Sequence, residues 1–267
     1  MSLSGAAQAP AQPARPYRIL VVNDDGVRAP GILAVARALQ AVGEVMIVAP
    51  ADNQSGKGHS ITITEPIFRD EVTLAGGIRA IGLTATPAST MKVALMKIVQ
   101  PKPDLVVSGI NRGYNLGLSA YLSGTVGAAR EAVLQGIHAI ASSLEMPATD
   151  YTIAAEQVAR LAQHVKDNGL PPGVFLNVNV PHGPVKGIMI TRQAMSPGGK
   201  EGFAEFKHPN GRTYYWNLFE EGGTDAPGTD VHAVQGRFVA VTPLKAPEYD
   251  AAAAEKLKTL ATATVGR

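Results

Sequence analysis

The sequence predicts a Rossmann-like, doubly wound α/β fold with a mostly parallel sheet, a C-terminal β-hairpin excursion and a terminal helix. Three observations predict it. Short runs of β-branched residues alternate with amphipathic helical stretches, as strand–helix–strand crossovers require. The first three apolar runs each end in a polar, glycine-bearing loop. After Gly187 the alternation gives way to hairpin and loop signals.

The elements follow in order. Arg18 to Asn23 is a near-continuous apolar run, the pattern of a strand buried on both faces. Pro30 suits the first turn of a helix to Leu39, with Ile32, Val35 and Leu39 at core-facing spacing. Glu44 to Ala49 reads as the second strand, and Thr86-Pro87 opens a helix to Val99 with Met91, Leu95 and Ile98 on one face. A third strand, Leu105 to Ile110, precedes a helix from Gly124 to Leu134, and a fourth strand follows over Ala139 to Leu144. Residues 151–167 form an amphipathic helix striped by Val158, Leu161 and Val165, and Val174 to Val180 is a strand. Beyond Gly187, short strands are expected at 188–191 and 238–242. Asn210-Gly211 marks a hairpin turn inside 206–218, and a helix is expected over 247–262. Residues 195–230 are an excursion suited to a subunit contact. Residues 1–16, rich in Ala, Pro and Gln, are expected to form a flexible tail, with 17–267 as a single domain.

Composition narrows the function. At 45% hydrophobic, the 267 residues can bury a proper core, and 17% charged residues argue against a long disordered body. A formal charge of +2 gives no footprint for a nucleic-acid polymer. Without cysteine there is no disulfide, thiolate nucleophile or Cys-ligated zinc. No apolar run approaches the ~20 residues of a spanning helix, and the N-terminus lacks the pattern of a secretory signal. No membrane partner and a cytoplasmic location are therefore expected.

In open α/β sheets, ligands bind beyond the carboxyl ends of the strands. Asn23-Asp24-Asp25-Gly26 follows the first strand, Asp52 to Gly56 the second, and Ser108 to Asn115 the third. These loops should meet on one rim. Adjacent carboxylates at the end of a buried strand repel unless a cation joins them. Asp24 and Asp25, with oxygens from Ser55 and Asn111, form an all-oxygen set suited to one magnesium or manganese ion. Asp-Asp-Gly alone is more often a turn or helix cap. Its place among three polar loops favours the metal.

Ser123-Gly124-Thr125 opens a helix, where free N–H groups and the dipole favour an anion such as phosphate. Taken alone, Ser123 is a plain N-cap. Lys57 and Arg112 lie in the rim loops and can add positive charge. Other chemistries lack their signatures: there is no Gly-x-Gly-x-x-Gly turn after the first strand, no Walker loop and no Gly-x-Ser-x-Gly elbow. The six histidines (59, 138, 164, 182, 208 and 232) lack metal-ligand spacing, and only His59 sits near the rim. Aligned with aspartyl-phosphate phosphatases, Asn23 occupies the nucleophile's place, and an amide cannot form an acyl-phosphate. Direct attack by activated water on a small phosphomonoester fits better.

Asn23 to Gly26, Asn53 to Gly56, Ser108 to Asn111, Asn115-Leu116-Gly117 and Ser123 to Val126 together resemble the motifs of the SurE family. So do Asn177 to Pro181, Thr191-Arg192, Thr229-Asp230 and Val241 to Leu244. The resemblance implies a 5′/3′-nucleotidase acting on nucleoside monophosphates, with some activity on short polyphosphate. It implies a metal at Asp24, Asp25, Ser55 and Asn111, and phosphate contacts from Ser123, Gly124 and Thr125. Asn23 and Asn115 are further candidates for substrate contact. It also implies a homodimer or homotetramer exchanging C-terminal extensions. Where that family usually carries Asp-Cys after Thr-Pro-Ala, this chain has Ser89-Thr90. Leu118 and Ser119 replace its usual acidic residues, and both departures bear on loop packing and nucleoside selectivity. Two readings stay beside the nucleotidase: a phosphatase for another small ester or short polyphosphate, and a non-catalytic nucleotide or phosphate binder.

Overall fold

The computed structural model describes residues 15–261. The main sheet is built from β1 (Arg18–Val22), β2 (Glu44–Pro50), β3 (Arg69–Thr73), β4 (Arg79–Leu83), β5 (Leu105–Arg112), β6 (His138–Leu144), β7 (Val174–Val180), β8 (Ile188–Ile190) and β11 (Val239–Lys245). Their order across the sheet is β3-β4-β2-β1-β5-β6-β7-β11-β8. The central pairings are parallel; β3 against β4 and β11 against β7 are antiparallel. The chain winds outward from β1 to β2 and β4 on one side and to β5, β6 and β7 on the other. The order therefore reverses between β1 and β5, and ligand sites of such sheets lie at that point.

Both faces are covered, which explains the unbroken apolar strands. Successive side chains of a strand point to opposite faces. In β1, Ile19 and Val21 enter one core with helices α1 (Pro30–Leu39) and α4 (Thr152–Asn168). Leu20 and Val22 enter the other with α2 (Pro87–Val93) and α3 (Gly124–Leu134). The predicted stripes are the buried ones: Ile32, Val35 and Leu39 on α1, and Val158, Leu161 and Val165 on α4. Met91 and Leu95 are buried and Ile98 half-buried, but the expected continuous helix to Val99 becomes a π-turn from Ala94 to Ile98.

Three elements were not anticipated. β3 is Arg-Asp-Glu-Val-Thr at the sheet edge with only Val72 buried, so it lacks an apolar signature, and β4 is its partner. A short helix, α5 (Asp230–Gln235), is capped by the Thr229 hydroxyl. The hairpin is longer than its turn signal implied. Strands β9 (Gly199–Lys207) and β10 (Thr213–Glu221) form a separate two-stranded sheet around Asn210-Gly211. The terminal helix α6 runs Ala251–Ala261. The expected N-terminal tail lies outside the described residues up to position 14, and Arg15 is paired with Asp104 at 2.9 and 2.5 Å. Among the described residues, no helix is long and apolar enough to cross a membrane.

Candidate active site

A cleft of about 250 Å³ opens where the sheet order reverses. Asp24 comes to it from β1, Ser55 and Gly56 from the loop after β2, Asn111 and Arg112 from the end of β5, and Ser123 from the start of α3. The three polar loops read from the sequence thus share one rim.

Asp24 sits against the first turn of α3. Its Oδ1 accepts the Thr125 hydroxyl at 2.5 Å, and the Gly124 and Thr125 backbones also favour its charged form. That approach requires glycine at 124. A Cβ there would lie 2.8 Å from the Asp24 Cβ and 2.9 Å from the Pro87 ring. Burial pushes the Asp24 carboxyl up while the hydrogen bonds pull it down, with burial prevailing. The Asp25 carboxyl is pushed up to about 6, by burial first and then by the charge of Asp24. Asp25 is not on the cleft wall; its Oδ2 accepts the Arg112 N–H at 3.1 Å.

The other candidates divide into cleft-facing and bracing groups. Asn111 lies on the wall with its Nδ2 committed to the Gly113 carbonyl at 2.8 Å, which leaves Oδ1 for a cation. A register shift in the β5–β6 pairing falls between Ser108 and Asn111. Gly109 within it has φ +128°, and a Cβ would meet the Ser142 carbonyl at 2.3 Å. Ser123 faces the cleft and caps α3, accepting the Val126 N–H at 3.2 Å, so both readings of that serine hold at once. Ser55 lines the cleft from a turn closed by Asn53, whose Oδ1 accepts the Ser55 N–H at 2.9 Å. Thr125 is fully buried with its hydroxyl on Asp24, away from the wall. Asn23 is also buried, its Nδ2 on the Gly26 carbonyl at 2.9 Å and its Oδ1 without a partner.

Asn115 lines the cleft and is locked from beneath. Its Nδ2 donates to Ser143 Oγ, its N–H to Asn179 Oδ1, and its carbonyl accepts from the amides of Asn177 and Asn179. Buried amides on core strand β7 are the signal for this brace. Sequence reasoning missed the opposite wall, where the hairpin brings Glu201, Asn217 and Phe219 to the cleft. Of the supplementary cations, Arg112 reaches the wall and Lys57 does not. His59 turns to Glu131 on α3, at 2.9 Å, rather than to the cleft. The departures have local duties. Ser89 Oγ accepts the Thr62 N–H, and Ser119 Oγ donates to the Pro197 carbonyl at the hairpin base. Leu118 is tied to the same base by its N–H on the Ser196 carbonyl.

A family model described as survival protein SurE matches residues 19–199. The chain belongs to the SurE family. A SurE relative from Syntrophotalea carbinolica, named 5′-nucleotidase SurE, is 45% identical over 85% of this chain and 90% of its own. One of the same name from Geotalea daltonii is 41% identical over 85% and 92%. The crystal structure of a SurE protein from Aquifex aeolicus superposes with a TM-score of 0.79 at 36% identity, covering 91% of this chain and 99% of that one. The predicted family and fold are thereby borne out over most of the chain.

The residues at the rim fit a hard divalent cation. Among the described residues there is no group of three or more His, Cys, Asp or Glu that would hold a metal. An ion at this rim must therefore add amide and hydroxyl oxygens to the two aspartates, and Asn111 and Ser55 offer them. Burial raises both carboxyls, and the charge of Asp24 adds to the rise of Asp25; a cation beside them would favour the charged forms.

Proposed function

We propose that the protein hydrolyses nucleoside monophosphates to nucleoside and orthophosphate, with one magnesium or manganese ion held by Asp24, Asp25, Ser55 and Asn111. The observation that carries this reading is the meeting of buried Asp24, with Asp25 next to it in the chain, and the N-terminus of α3 at one cleft wall. Helix N-termini attract phosphoryl oxygens, and carboxylate pairs attract the cation that phosphoryl transfer uses. The relatives named as 5′-nucleotidases support the substrate class.

When bound, the ion supplies charge neutralisation at a phosphoryl oxygen and acidifies water. Ser123 and the positive end of the α3 dipole favour the remaining oxygens, where charge is greatest in the transition state. Asp24 or Asp25 orients the attacking water and takes its proton. The water oxygen bonds to phosphorus as the ester P–O bond breaks, and the nucleoside leaves with a proton. Arg112 on the wall adds positive charge beside the transferred group, and Asn115 limits how the substrate enters. Thr125 and Asn23 act beneath the surface, fixing Asp24 and the turn at Gly26.

The exposed hairpin bears on assembly. A two-stranded sheet alone is marginal in water, and exposed aromatic patches mark interaction surfaces. The expected unit is a homodimer or homotetramer formed through residues 195–230.

Phosphate release from 5′- and 3′-nucleotides, sugar phosphates and short polyphosphate, with magnesium, manganese or a chelator, tests the reading. Metal-dependent release fastest on nucleotides is expected. Release confined to other esters moves the substrate. An Asp24→Asn protein with near wild-type turnover would sink the site.

A further inference from the structure

Glu131 lies on α3 eight residues beyond Ser123, just over two turns along the helix. Its buried carboxylate gathers three donors. His59 Nε2 is 2.9 Å from Oε2, while Lys92 Nζ and Gln135 Nε2 lie 2.9 and 3.0 Å from Oε1. Burial alone would raise this carboxyl, but the donors outweigh it and hold it at about 2. A buried charge is costly only when it is left unpaired, and here Lys92 and Gln135 still satisfy Glu131 if His59 is lost.

The partners come from different elements. His59 lies four residues beyond Ser55 in the loop after β2, and Lys92 belongs to α2. The loop meets α3 backbone to backbone: Gly58 N–H donates to the Leu122 carbonyl at 2.9 Å. The Gly58 carbonyl sits so near Gly127 that a Cβ there would be 2.3 Å away. The continuation of the loop is tied to the start of α2, with Thr62 N–H on Ser89 Oγ and Thr86 Oγ1 on the Ser60 carbonyl, both at 2.7 Å. The Ser55 hydroxyl has no hydrogen bond among the described residues; its backbone is held by Asn53 Oδ1 and by the Gln54 N–H on the Asp24 carbonyl at 2.7 Å, and the contacts around His59 clamp the same loop on its other side.

We infer that His59 and Glu131 are positioning residues, whose contact holds the Ser55 loop against the first turns of α3 and completes the oxygen set for the cation. The inference rests on the reading of Ser55 as a ligand. Neither residue lines the cleft, so both act through Ser55.

The test is manganese binding to the substrate-free protein, followed by electron paramagnetic resonance, with thermal unfolding measured in parallel. His59→Ala leaves Lys92 and Gln135 on Glu131, so the fold should survive with its melting temperature little changed. Its manganese affinity is expected to fall about tenfold, the usual scale for losing a group that orients a ligand. His59→Gln keeps a donor for Glu131 and should recover most of that loss. Turnover of His59→Ala should return toward the parent's at saturating manganese. Unchanged manganese affinity in His59→Ala overturns the inference while leaving the metal reading intact. So does an equal loss in His59→Gln. A parent that binds no manganese overturns both.

Discussion

The Thr125 hydroxyl donates to Asp24 Oδ1 across 2.5 Å, and both side chains are buried. One is the second residue of a helix, the other follows the first strand, and their contact joins the two halves of the site. Thr125→Val keeps the shape and removes the donor. A hydrogen bond to a charged group is worth about 1.5–3 kcal/mol, so denaturant unfolding should show a loss on that scale. Manganese affinity should fall roughly tenfold as Asp24 loses its orientation. A variant matching the parent in both would show that the helix amides alone fix Asp24.

Gly124 leaves room for that contact. Its missing Cβ is what lets Asp24 and Pro87 close on the helix start. Gly124→Ala should push α3 off the carboxylate at a cost of about 1–3 kcal/mol, the usual scale of overpacking. Turnover should drop by well over tenfold while the melting temperature falls by only a few degrees, because Asp24 and Ser123 lose their mutual placement when the helix start moves. Parent-like kinetics would mean that the helix start yields freely.

How much of this was legible depended on where each signal lived. Strands β1, β2 and β5 are buried on both faces, so their apolar runs stood out, and the loops after them led to Asp24, Ser55 and Asn111. The resemblance to the SurE family rested on the same loops. What sequence could not separate was a residue on the wall from one beneath it: Thr125 and Asn23 look like Ser123 and Asn115 in a motif, yet their side chains turn inward. The hairpin wall was hidden because Glu201, Asn217 and Phe219 carry no motif and reach the cleft only through tertiary placement. Edge strand β3, with one buried residue, offered no periodicity to read.

The carboxylate pair sets a pH dependence. Burial and the charge of Asp24 push the Asp25 carboxyl up to about 6, above the 3.8 expected when unfolded. Between those values the folded state keeps a proton that the unfolded state has released. Stability is therefore greatest below the unfolded value and falls as pH rises to about 6. Glu131, held at about 2 against 4.5, acts in the opposite sense and at lower pH, and it cancels between variants. With a chelator present, the stability of the parent minus that of Asp25→Asn should decline from pH 4 to 6. Added manganese should reverse the trend, since the cation needs the deprotonated carboxylate. A difference flat across that window would mean that Asp25 is not held in its protonated form.

The hairpin has two distinct faces, one toward the cleft and one away from it. Pairing of Phe219 with Glu201, and of Asn217 with Phe203, puts the cleft-lining residues on one face. Alternation then puts Trp216, Tyr214, Phe206 and Leu218 on the other, where the Phe206 and Tyr214 rings stack at 5.4 Å. Trp216 is 65% exposed there, on a sheet with no core of its own. Such a surface gains most by meeting a second copy of itself. Trp216→Lys should lower the mass measured by light scattering from that of a dimer or tetramer toward a smaller species. Phe219→Ala, on the cleft face, should instead raise KM for nucleotides and leave the mass alone. A parent that is already monomeric at tens of micromolar would overturn the oligomer, and a Trp216→Lys protein of unchanged oligomeric mass would place the subunit contact elsewhere.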